Sequence, residues 1–153
     1  MGRQADAIGA NLEAALSGVA KALTLEVEAQ LKMACPVDTG HARRNFVASV
    51  GTAYDGEDGG AAQQAGEVAV LAYRIGDGDL FVANNVPYID ALVLGSSSQA
   101  PAGFDLVAAD TAVANVQAAY GVSIDVTSGS DLAARGAQAA QGLASAFSPF
   151  GDE

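Results

Sequence analysis

Cys35, Asp38 and His41 lie within seven residues of one another and are the first place to look for chemistry. Asp38 and His41 could share acid–base work, and Cys35 could act as a nucleophile with His41 as its base. A catalytic histidine also needs an activated nucleophile and an oxyanion site, and the sequence establishes neither. A solvent-exposed histidine in a turn and a buried thiol at a helix end are the better readings. The carboxylates of Asp55, Glu57 and Asp58, or of Asp77 and Asp79, could attract calcium. Neither group has the twelve-residue loop with a closing glutamate, so both read as solvated acidic turns. Ser96, Ser97 and Ser98 lack the Gly-x-Ser-x-Gly setting of a nucleophile elbow. Tyr88 could stack on a ligand, but an aromatic anchor beneath a bend is favoured. Arg43 and Arg44 could meet phosphates or an acidic neighbouring subunit, and the acidity of the chain favours the neighbour. No catalytic residue, metal or cofactor is expected.

These residues hang on two segments that the surrounding elements must position. Ile8, Leu12, Leu16, Val19, Leu23, Val27, Leu31 and Ala34 recur every three or four residues and predict one helix over 5–34. At about 1.5 Å per residue it would span roughly 45 Å, longer than a small sheet can cover. Glu28 and Lys32 are expected four apart on its outer side. Pro36 stops it, and Asp38 or Thr39 could cap a short turn that carries Arg43 and Arg44 outward. Phe46, Ala48 and Val50 alternate with Val47 and Ser49 as in a half-buried strand.

An acidic, glycine-rich loop, 54–60, leads to a predicted helix over 61–75. Its inner face should be Ala65, Val68, Leu71 or Ala72, and Ile75, with Gly76-Asp77-Gly78 as its cap. A strand over 80–83 then enters the corner Asn84-Asn85-Val86-Pro87-Tyr88, one or two helical turns, and a serine-rich loop ending Gln99-Ala100-Pro101. A helix over 104–120 should pack through Leu106, Ala109, Val113, Val116 and Tyr120. Val122, Ile124 and Val126 alternate with Ser123 and Asp125, giving an internal edge strand or an arm for a neighbour's sheet. A weak glycine-bearing helix over 130–147 and a flexible tail should follow.

The chain has 153 residues, 6% aromatics, no Trp and a net charge of −11. Its length fits one domain of 1–120 with an extension over 121–153, and a thin core of small side chains. The acidity excludes a phosphate-gripping nucleic-acid binder, yet suits a wall that DNA passes without adhering. One cysteine excludes an internal disulfide. Neither a leader nor a membrane span is expected.

Two segments, in this order, resemble the tail-completion (neck) proteins of long-tailed bacteriophages. The first is Pro36-Val37-Asp38-Thr39-Gly40-His41-Ala42-Arg43-Arg44-Asn45-Phe46, a basic run entering a strand after a long helix. The second is Asn84-Asn85-Val86-Pro87-Tyr88-Ile89, followed by Leu92, Gly95, Ser97 and Gln99-Ala100-Pro101-Ala102-Gly103. The likeness covers about residues 5–120 and departs at Phe46, Val93 and Ser96, where the family often carries tryptophan, an acid and a bulky aromatic.

The resemblance implies a virion structural protein made in the host cytoplasm. It implies a non-enzymatic, hexameric neck ring between the portal or head-closure proteins and the tail terminator or tail tube, through which genome DNA passes. The expected fold is α+β: the long helix and the helix over 104–120 packed on a small, mainly antiparallel sheet of 46–51, 80–84 and a candidate 122–126. Subunit contacts are expected at Asp38, Thr39, Arg43, Arg44, Phe46, Asn84, Asn85, Pro87, Tyr88, Gln99 and Pro101. A tail terminator or head-closure subunit is the alternative within the virion. A binding module that recognises a protein through the 84–101 corner is the alternative outside it.

Overall fold

A computed structural model describes residues 2–127 of the chain. The chain divides into two units, Met1–Val122 and Ser123–Glu153. The predicted helix over 130–147 and the tail lie outside the described residues. The architecture is α+β, in the order α1 (Gly2–Ala34), α2 (His41–Arg44), β1 (Val47–Val50), α3 (Gly59–Ala72), β2 (Leu80–Ala83), α4 (Ile89–Val93) and α5 (Phe104–Tyr120). Among the described residues the sheet has two strands, and Val122–Val126 is not a third. No described helix is long and apolar enough to cross a membrane.

Helix α1 has two unlike halves. From Ser17 onward it is packed, whereas residues 3–16 are exposed throughout, including Ile8, Leu12 and Leu16 at 68%, 58% and 48%. The buried polar side chains Ser17 and Thr24 donate back to the carbonyls of Glu13 and Ala20 at 2.7 and 2.9 Å, so neither hydroxyl is left unpaired. Glu28 lies on the inner side rather than the outer one, with 1% exposure. Among the described residues its neighbouring cation is Lys32, whose Nζ also reaches Glu67 of α3 at 3.2 Å. The helix ends before Pro36, where Arg43 Nη2 donates to the Cys35 carbonyl at 3.2 Å.

The two strands pair antiparallel, Val47 opposite Ala83 and Val50 opposite Leu80. Gly51 N donates to Asp79 O at 2.8 Å and continues the ladder. Odd-numbered residues therefore bond across the pair, and even-numbered ones turn their N–H and C=O groups to the outer edges. Burial of β1 does not alternate, since Val47 and Ala48 are both buried. Helix α3 lies along its outer edge and α1 against its side. Gln63 Nε2 donates to Phe46 O at 2.8 Å, and the Ala48 N–H faces the Glu28 carboxylate.

The packed face of α3 is Gly59, Gly66 and Val70, continued by Tyr73, while Ala65, Val68, Leu71 and Ile75 are exposed. The apolar stripe in the sequence pointed to the wrong side, because contact is made by backbone. A Cβ on Gly66 would stand 1.9 Å from the Ala48 carbonyl oxygen. Gly76 and Gly78, both at positive φ, form the turn into β2 and not the helix cap, since α3 already ends at Ala72. Arg74 N donates to Asp77 Oδ2 at 2.8 Å within that turn.

Helix α5 packs chiefly along α1. Phe104 and Ala108 join Leu31 and Cys35 in the core, and Asn115 Nδ2 donates to Glu26 Oε1 at 2.7 Å, so the helices run antiparallel. This bond, with a second from Gln30, holds the Glu26 carboxyl below the usual range. Its buried stripe is Phe104, Ala108, Ala112 and Val116, whereas Leu106 and Tyr120 face outward. Alanines let the two helix backbones approach closely, and the larger side chains are left outside.

Candidate functional site

The two segments singled out in the sequence fold against each other. Gly40, at φ 76°, is the N-cap of α2 in place of Asp38 or Thr39, and it has no side chain to accept a capping bond. Thr39 Oγ1 instead accepts from His41 N at 3.4 Å. Across the gap, Gln99 Oε1 accepts the Val37 N–H at 2.9 Å, joining the first turn to the serine-rich loop. Asn84 makes the second tie. Its Nδ2 donates to Ala42 O at 2.8 Å, and its Oδ1 accepts from Val86 N at 3.2 Å. One side chain thus closes the corner and holds it to α2. Asn84→Ala should lower stability by about 2 kcal/mol, since both groups it serves lose a partner. Thermal unfolding checks this.

Between the ties lies an open depression of about 340 Å³. Asp38, Thr39 and His41 form one side, and Tyr88, Leu92, Ser97 and Gln99 the other. The rings of His41 and Tyr88 are 6.5 Å apart and tilted by 40°. Tyr88 is therefore a wall of the surface, 42% exposed, and not an anchor beneath the bend. Of the residues expected at a subunit contact, Asp38, Thr39, Tyr88 and Gln99 are brought together here. Arg43, Arg44, Asn85, Pro87 and Pro101 are exposed but lie outside the depression.

Phe46 is a correction. It is 5% exposed within the core of Leu31, Cys35, Val86 and Phe104, so it holds the fold and offers no surface. Asn85 Nδ2 donates to Gly56 O at 3.4 Å and to the Tyr54 carbonyl at 2.6 Å, which moors the acidic loop to the corner. Sequence reasoning did not select His41, Leu92 or Ser97 as contact residues. The motif positions of Leu92 and Ser97, beside Tyr88 and Gln99, were the available signal.

The nucleophile reading of Cys35 meets a physical obstacle. The side chain is 2% exposed, its Sγ faces the Pro36 carbonyl, and burial pushes the thiol pKa up against the weaker pull of Arg43. Among the described residues no group of three His, Cys, Asp or Glu side chains could hold a metal ion. What the surface offers is shape, two rings, and several hydrogen-bonding groups held by a rigid frame. Set beside protein-family models, curated proteins and solved structures, the chain matches none of them.

Proposed function

We propose that the chain is a non-enzymatic subunit of a hexameric ring at the neck of a long-tailed bacteriophage, completing the tail and joining it to the portal complex. The observation that carries this reading is the exposed half of α1. Four helical turns present Ile8, Leu12 and Leu16 to solvent, and no described residue packs over them. Exposed apolar surface of this kind marks a contact with another chain, and in a ring that chain is the next copy. The thin core agrees, as does a net charge of −11, which keeps passing DNA from adhering to a channel wall. A binding module acting through the 84–101 corner is the second reading, favoured by the depression between Asp38 and Tyr88.

Electron microscopy of purified particles separates the two. The expected result is density for this chain, as a ring, at the head–tail junction, and its loss with Leu12→Asp. Absence of the protein from purified particles overturns the neck reading.

A further inference from the structure

The ladder leaves the two edges of the sheet unequal. On β1 helix α3 lies along the outer edge, where Gln63 bonds Phe46 O and Gly66 stands against the Ala48 carbonyl, leaving the outward groups of Val50 alone without a described partner. On β2 the outward N–H and C=O groups belong to Leu80 and Val82, and no described residue bonds to them. The strand is half-buried along its length and carries no proline or lysine, the usual guards of an open edge. Two strands alone make a marginal sheet, and a third would complete it.

The same chain carries a segment of matching length and pattern. Val122–Val126 runs without helix, turn, bend or strand pairing after Gly121, whose φ of 65° breaks the line of α5. Val122, Ile124 and Val126 alternate with Ser123 and Asp125, and no glycine or proline interrupts them. We propose that Val122–Val126 of one copy adds to the Leu80–Ala83 edge of a second copy as its third strand. A second copy is the occupant because, among the described residues, neither the edge nor the segment has a strand partner. Main-chain hydrogen bonds supply the attachment and the alternating side chains its register. This arm exchange concerns how copies hold one another, and it stands or falls in solution, whether or not the assembly is a phage neck.

The test uses the full chain in sedimentation velocity, with circular dichroism to confirm folding. Leu80→Pro removes an outward donor at the first residue of a strand, where proline fits without costing a β1–β2 bond. Ile124→Pro disables the arm. Wild type should associate and each variant alone should stay monomeric. An equimolar mixture of the two should form one-to-one pairs, because each supplies what the other lacks. Independently of any variant, amide exchange at Val82 and within 122–126 should slow together, about tenfold or more, as wild-type concentration rises. Four results overturn the proposal: a wild type monomeric at millimolar concentration, a folded variant that associates like wild type, a folded mixture that does not pair, or unchanged exchange at Val82.

Discussion

Gly66→Ala should destabilise the protein by about 3 kcal/mol, and Gly60→Ala, on the same helix, should stabilise it by about 0.5 kcal/mol. Both replacements add one methyl group to α3 and both improve intrinsic helix propensity. They differ only in what the methyl meets. At Gly60 nothing lies within 4 Å, so the gain in propensity stands alone. At Gly66 the Cβ would fall 1.9 Å from the Ala48 carbonyl oxygen, which is backbone and has no rotamer to yield. Relief requires α3 to lift away from β1. That movement would loosen the Gln63 bond to Phe46 O and open the strand edge. Urea unfolding of the two variants is the measurement. Equal effects at the two positions would mean that α3 does not rest on β1 through its backbone.

Lys32→Met should cost about 3 kcal/mol at neutral pH, and much of that loss should vanish in acid. Lys32 Nζ lies 2.7 Å from Glu28 Oε1, as an ion pair without the alignment of a directed hydrogen bond. Burial raises the Glu28 pKa above the ordinary carboxylate range, and the nearby Glu67 charge adds to it. Lys32 and the Ala48 N–H oppose the rise. A carboxyl whose pKa is raised on folding binds its proton more tightly in the native state. Its contribution to stability is therefore full below the unfolded pKa and is lost as pH climbs through the folded one. Removing the lysine raises that pKa further and leaves a buried carboxylate uncompensated at neutrality. Unfolding free energies should thus nearly converge with wild type at about pH 4 and diverge at about pH 8. Adding Glu28→Gln to Lys32→Met should restore most of the loss at the higher pH. A pH-independent deficit would assign Lys32 a packing role through its methylenes.

The sequence was most informative where large side chains do the packing or where backbone chemistry forces an end. The bounds of α5 and the stop of α1 at Pro36 were legible for that reason, as was the strand over Leu80–Ala83. It misled where small residues make the contact. Ala108 and Ala112 face α1 while Leu106 and Tyr120 do not, and Gly66 faces β1 while Val68 and Leu71 do not. A hydrophobicity stripe weighs the larger side chain, but a close crossing selects the smaller. Phe46 was expected at a subunit contact although its place in the strand alternation pointed inward, and it is the packing of Leu31 of α1 and Phe104 of α5 in the same core that buries it. Glu28 was placed outside as half of a pair with Lys32 four residues on. The convergence of Asp38 with Tyr88 and Gln99 was not legible at all. It depends on Asn84 reaching Ala42 and Gln99 reaching Val37, two hydrogen bonds between segments more than forty residues apart.

The unequal halves of α1 have a consequence for the cost of association. Starting a helix in water is improbable by a factor of about 10⁻³, equivalent to roughly 4 kcal/mol, whereas each further residue adds at little cost. In this chain the start has already been made. Ser17 to Ala34 is clamped between the sheet and α5, and it serves as a template from which residues 3–16 continue the same helix. A partner that meets Ile8, Leu12 and Leu16 would find them one turn apart and on one side, with the initiation term already met by the folded body. Contact energy along that stretch would then go into affinity instead of ordering, so even a short apolar seam could hold.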